Sequence, residues 1–158
     1  MSSWKDRVVL AIGTAGGAGF SPVAPGTAGS VVGVALLLFT RPQPHVLLIC
    51  ALVLFAIGVP VATRCEQILG KKDAGEIVVD EVVGVWVTML FLPMDGLTLS
   101  AALVAFRIFD IWKPWPVRVA ERELAVGLGV MADDVVAAIY ANLSVRGFVT
   151  LLEAYGWN

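Results

Sequence analysis

The sequence predicts an all-α protein: a compact bundle of hydrophobic helices, a multi-pass membrane protein in which several helices are short or re-entrant. Three observations predict it. Of 158 residues, 58% are hydrophobic and 15% charged, against roughly 25% charged in an average soluble domain, and the mean hydropathy is +0.86. Between Val8 and Thr63 the one formally charged residue is Arg41, so this half of the chain cannot supply the polar face of a soluble amphipathic helix. The apolar runs are also divided by Pro- and Gly-rich breaks that set their lengths.

The length fits one domain, residues 1–158, with no repeat, low-complexity tail or linker to mark a second. At the N-terminus, Lys5 and Arg7 precede a short apolar run that Gly and Pro interrupt, which is not the form of a cleaved signal. Ser3 reads as exposed tail, where Ser3→Ala is expected to be silent. Gly13–Ser30, GTAGGAGFSPVAPGTAGS, is almost free of bulky side chains. Its prolines remove backbone donors and its glycines favour turns, so it is read as a structured loop or a broken helix.

Val31–Phe39 and Val46–Ala62 follow as a helical hairpin, separated by TRPQPH, whose prolines stop a helix. Further apolar stretches run over Ile77–Leu92, Leu97–Trp112 and Val130–Leu143, giving about five hydrophobic helices. Most fall short of the ~20 residues that cross a hydrocarbon core of ~30 Å. If all five cross, Lys5, Arg7, Arg64, Lys71, Lys72, Arg107, Lys113, Arg118 and Arg122 share one side, and Arg41 and Arg146 the other. That bias makes the first side cytoplasmic. Trp4, Trp112, Trp115 and Trp157 lie near proposed helix ends, where an amphipathic ring sits at headgroup level; Trp86 does not.

A net charge of −2 and the lack of a basic stripe argue against a nucleic-acid partner. Cys50 and Cys65, without Cys-x-x-Cys spacing and with His45 as the sole histidine, read as reduced apolar residues.

Chemistry concentrates in three acidic clusters inside apolar sequence: IVVDEVVG (Ile77–Gly84), FRIFDIWKPWP (Phe106–Pro116) and MADDVVA (Met131–Ala137). An ionised carboxylate costs several kcal/mol to bury without compensation, so apolar chains that retain such groups usually use them. Asp80 and Glu81 are expected at the start of one helix, Asp110 near the end of another, and Asp133 and Asp134 at the opening of the last. Converging at one membrane boundary, they would repel each other unless a cation sat among them, and all-oxygen ligands select a hard ion such as Mg²⁺. Arg107, Asp110 and Lys113 share a helical face at spacing three, so Arg107 and Lys113 can contact phosphoryl oxygens. The hydroxyls of Ser21, Thr27 and Ser30, in a Gly-rich loop, can contribute to an anion nest. Read singly, Asp80 and Asp133 are also good helix-start residues, and Asp110 can pair with Arg107 or Lys113.

The order SPVAPGTAGS, EIVVDEVVG, FRIFDIWKPWP, GVMADDVVAAIYA resembles the phosphatidylglycerophosphatase A family over roughly Gly13–Ala141. The resemblance implies a Mg²⁺-dependent enzyme of the bacterial inner membrane, its active site facing the cytoplasm. It would remove the terminal phosphate of phosphatidylglycerophosphate to leave phosphatidylglycerol, so the expected partners are that lipid and the bilayer. The family motifs fall on Ser21, Pro22, Pro25, Gly26, Thr27, Gly29, Asp80, Glu81, Asp110, Lys113, Asp133 and Asp134. Val126, where a Gly-Gly pair is usual, and Ala138, where Gly is common, read as packing substitutions. Metal ligation is assigned among Asp80, Glu81, Asp133 and Asp134, and phosphoryl contacts to Lys113 and Arg107. The nucleophile is either water held by the metal or a carboxylate, Asp110. The alternative from another class is a membrane transporter with a carboxylate-lined cation or proton path.

Overall fold

The computed structural model describes residues 3–72, 74–115, 117 and 126–156. Among them it contains six α-helices and no strand: α1 (Trp4–Gly13), α2 (Pro25–Thr40), α3 (Pro44–Leu69), α4 (Val79–Thr88), α5 (Gly96–Trp112) and α6 (Val126–Ala154), with a 3₁₀ turn at Ala18–Phe20. The all-helical expectation holds. Arg118, Arg122, Pro116 and Trp157 lie outside the described residues.

Helix α1 was not expected, and its cause is a capping box. The Ser3 hydroxyl accepts from the Lys5 N–H at 3.2 Å, while the Asp6 carboxylate accepts from the Ser3 N–H at 3.1 Å. Ser3 is therefore a cap rather than tail, and Ser3→Ala should cost about 1 kcal/mol in thermal unfolding instead of being silent. Arg64 binds Asp6 at 2.8 Å and ties α1 to α3. That bond holds the Asp6 carboxyl below the ordinary carboxylate range.

The Gly-rich segment divides in two. Its first half makes turns and the 3₁₀ element, and its second half is already helix, because Pro25 at the first helical position has its φ preset and no N–H to leave unpaired. Helix α3 runs seven residues beyond the expected Ala62, through Pro60, to a left-handed Gly70 cap. Helix α6 starts at Val126, two turns earlier than the acidic pair, so Asp133 and Asp134 lie inside it and do not open it. Helices α3 and α6 are long and apolar enough to cross a membrane; α2 is apolar but shorter.

Helix α4 is the centre of the bundle. With 10 residues it is about 15 Å long, half a hydrocarbon core. It packs against α2, α3, α5 and α6. Val79 and Val83 join Val61, Ala62, Cys65, Ile77 and Met131 in one core cluster. Val85 and Met89 join Leu37, Leu47, Leu99, Ala102, Phe106, Ala138 and Ala141 in another. Gly84 lets the fully buried Phe106 ring lie against the α4 backbone; a Cβ there would strike the ring. Trp86 donates to Gly33 O at 3.2 Å, and Asn142 donates to Thr88 O and Leu90 O at 2.7 and 3.0 Å, which satisfies carbonyls at the α4 C-terminus.

This arrangement gives the bundle two unlike ends. The start of α2, the start of α4 and the end of α5 meet the first half of α6 at one end. Arg41, Phe91 and Met94 meet at the other, where Arg146 also donates to Leu90 O. Trp4, Trp112 and Trp115 are exposed. Cys50 is exposed and Cys65 buried, both as free thiols.

Candidate active site

At the first of these ends, Ala24, Pro25, Gly26, Asp80, Glu81, Arg107, Asp110, Lys113, Asp133 and Asp134 line one cleft of about 310 Å³. All six acidic and basic residues proposed for catalysis, and Arg107, thus come together. Helix α4 begins at Val79, so Asp80 and Glu81 occupy its first turn, where the helix dipole favours anions. Each acidic pair is ordered locally in the same way: Asp80 Oδ1 accepts from the Glu81 N–H, and Asp133 Oδ1 from the Asp134 N–H, both at 3.0 Å.

Asp80, Glu81 and Asp134 each offer a carboxylate oxygen within 4.8 Å of the others. Asp80 is 8% and Asp134 3% exposed. At that spacing each pair of negative charges repels by about 3 kcal/mol at an effective dielectric of 20. Glu81 Oε2 and Asp134 Oδ2 are moreover buried without a hydrogen-bond partner among the described residues. Buried polar atoms are normally satisfied, so these two orphans need an explanation. A hard divalent cation fits the donor set, which is all oxygen, anionic and convergent.

Asp133 departs from that set. It receives the Lys113 ammonium at 2.7 Å. Lys113 is positioned for this by an unusual backbone: it caps α5 in the left-handed region, at φ 47°, just before Pro114. Arg107 Nη1 binds Asp110 Oδ2 at 2.7 Å and lies 3.7 Å from Glu81 Oε1. Its Nε is buried and unpartnered among the described residues. The cleft therefore holds two cations beside a partly uncompensated carboxylate cluster.

The hydroxyls proposed for an anion nest are elsewhere. Ser30 is fully buried and donates to Gly26 O at 2.9 Å, within its own helix. Ser21 donates to Val23 O at 2.8 Å, and Thr27 lines a neighbouring groove. What the segment brings to the cleft is backbone. Ala24, at φ 49°, turns the chain into α2, and the N–H groups of Gly26 and Thr27 in the first turn have no helical acceptor. The approach at Gly26 is close: a Cβ there would meet Glu81 Oε1 and the Arg107 guanidinium, and these side-chain ends would have to shift. Reading Pro25 as a helix start would have found this anion-attracting terminus from sequence.

The phosphatidylglycerophosphatase A family model matches residues 11–149. The phosphatidylglycerophosphatase A of Escherichia coli K12 is 38% identical over 133 residues, covering 83% of this chain and 76% of that protein. The phosphatidylglycerophosphatase A of Haemophilus influenzae is 38% identical over 140 residues, with 87% and 85% covered. A protein of Bacteroides thetaiotaomicron that carries the provisional name phosphatidylinositol-3-phosphatase is 44% identical over 144 residues, with 85% and 89% covered. No solved structure matches the chain.

Proposed function

Because this chain belongs to the phosphatidylglycerophosphatase A family and is a phosphatase, we propose that it hydrolyses the terminal phosphomonoester of phosphatidylglycerophosphate, in the charged cleft, with Mg²⁺ as cofactor. The observation that carries this reading is the pairing, in one cavity, of a convergent carboxylate triad with Arg107 and Lys113. Asp80, Glu81 and Asp134 would hold the ion, and Glu81 Oε2 and Asp134 Oδ2 would lose their orphan status. When bound, Mg²⁺ neutralises charge on the phosphoryl oxygens, which is the main barrier to attack on a phosphate dianion.

The remaining roles follow from the side chains. Arg107 and Lys113 bind phosphoryl oxygens, and the unpaired N–H groups at the start of α2 add donors and the positive end of a helix dipole. Asp133 holds the Lys113 ammonium at the cleft, a positioning role in place of metal ligation. Asp110, fixed by Arg107 at 2.7 Å, is the group to orient the attacking water or to attack phosphorus itself. In either case water supplies the oxygen gained by phosphate, and the P–O bond to glycerol breaks, leaving phosphatidylglycerol.

Location follows the same logic. The chain is read as a multi-pass protein of the bacterial inner membrane, with the cleft on the cytoplasmic side that carries most Lys and Arg. Arg41 and Arg146 at the opposite end support that orientation. A cation or proton path is the poorer reading, because Arg107 and Lys113 stand as fixed positive charges in the cavity such a path would use.

The test is phosphate release by purified protein in detergent. Release from phosphatidylglycerophosphate that needs Mg²⁺ and stops with excess chelator is expected. Phosphatidylinositol 3-phosphate, suggested by the name of the Bacteroides relative, should be a poorer substrate. Folded protein that releases phosphate from neither lipid would overturn the assignment.

A further inference from the structure

We infer that a groove on the outer face of α5 binds an acyl chain of the same lipid whose phosphate enters the cleft. The inference rests on the lipid-phosphatase reading and deepens it. The groove has a volume of about 790 Å³ and is walled by Leu103, Val104, Ile108, Ile111 and Trp112, with Thr27 of α2 facing them. Val104 and Ile108 are one helical turn apart, and Ile111 and Trp112 continue the stripe, so the wall is one face of α5. These four side chains are more than half exposed.

Exposed apolar surface is expected wherever a helix faces lipid. What distinguishes this groove is its continuity with the cleft. Arg107 lines both cavities, and the neighbouring residues Gly26 and Thr27 line one each. The two spaces therefore meet along the Arg107 side chain and the first turn of α2. A lipid phosphomonoester has the same polarity profile: an anionic head for the cation-lined cavity and a chain that must leave along apolar surface. Arg107 sits at the junction, where the headgroup changes to glycerol and ester.

The substrate would thus enter sideways between α2 and α5 without lifting its chains out of the bilayer. Since the surrounding lipid is already apolar, the groove adds little transfer energy. Its contribution is orientation, which appears in kcat/KM.

The experiment uses the full-length protein in nanodiscs and a phosphatidylglycerophosphate analogue with a diazirine midway along one acyl chain. After irradiation, the labelled residues are mapped by mass spectrometry, with phosphate release measured in the same preparation. Label concentrated between Leu103 and Trp112, displaced by unlabelled phosphatidylglycerophosphate but not by phosphatidylcholine, is expected. Ile108→Trp, at an exposed position, should remove most of that label and lower kcat/KM roughly tenfold, with the melting temperature unchanged.

Label spread evenly over the lipid-facing sides of α3 and α6, or placed equally by a diazirine phosphatidylcholine, would overturn the groove while phosphate release leaves the phosphatase reading intact. Folded wild-type protein that releases no phosphate would take both down.

Discussion

Helix α2 ends on Arg41 at φ 41° and ψ 56°, and helix α5 ends on Lys113 at φ 47° and ψ 63°. Each cation donates its backbone N–H to the carbonyl four residues back, Leu37 O at 2.8 Å and Phe109 O at 2.9 Å. Both positions favour glycine, and a side chain there costs on the order of 1 kcal/mol. At Arg41 the side chain edges a cavity of about 200 Å³ lined by prolines, methionines, Phe91 and two leucines. At Lys113 it reaches the buried Asp133 carboxylate in a cleft that holds four more. Backbone strain occurs at both ends of the bundle and so does not by itself mark the site. Uncompensated buried charge occurs at one end only among the described residues, and that marks it.

The largest expected effect comes from breaking the charged end at its centre. Asp80→Asn and Asp134→Asn should each lower phosphate release by about 100-fold or more. Without added metal, both proteins should melt at or above the wild-type temperature, because a repelling charge has been removed from the cluster. Near-normal turnover in both variants would remove the triad from the chemistry.

The same substitution at each cap separates charge from backbone strain. Lys113→Gly relaxes the backbone but removes the proposed phosphoryl donor and strands Asp133, so kcat/KM should fall by roughly 100-fold and stability should drop by about 2 kcal/mol. Arg41→Gly should leave turnover within twofold and raise stability by up to ~1 kcal/mol. Equal losses from both would mean that the left-handed caps, rather than the charge, matter.

A smaller effect is expected from Gly26→Ala, whose Cβ would displace the Glu81 carboxylate and the Arg107 guanidinium in the cleft. About a tenfold loss of activity with little change in melting temperature is expected. The smallest lies at the far end, where the Asp95 side chain caps α5 by accepting from the Thr98 N–H at 2.9 Å and the Thr98 hydroxyl at 2.7 Å. The backbone bond and then the hydroxyl hold the Asp95 carboxyl below its ordinary value. A depressed folded-state value means that the cap stabilises fully above the unfolded value near 3.9 and is lost as pH falls through the folded one. Asp95→Ala should therefore cost about 1 kcal/mol at neutral pH and progressively less below about pH 4, without affecting catalysis.

Much of this was legible in the sequence because its signals are local. Carboxylates in apolar runs are visible by composition, and the prolines of Arg41–Pro44 fix a hairpin wherever the helices pack. The spacing of Arg107, Asp110 and Lys113 shows one shared face, although which cation takes which acid depended on Lys113 turning left-handed toward α6. Position within a helix was harder. Asp133 and Asp134 looked like a helix start because the packing of α6 that extends it back to Val126 is tertiary. Adjacent residues on a helix differ by about 100°, so the face each acid presents follows from where the helix lies. Ser30 looked available because a hydroxyl in a Gly-rich segment carries no sign that it is already bonded within helix α2. Helix α1 was missed because Ser3 and Asp6 act as a box only once both are in register.

Asp80, Glu81 and Asp134 are proposed to form a divalent-cation site. Equilibrium binding of Mg²⁺ to the purified protein, without substrate, tests it directly when wild type is compared with Asp134→Asn and Lys113→Gly. Saturable binding is expected in wild type, weakened at least about tenfold by Asp134→Asn and retained by Lys113→Gly. Equal Mg²⁺ affinity in wild type and Asp134→Asn, both folded, would contradict it.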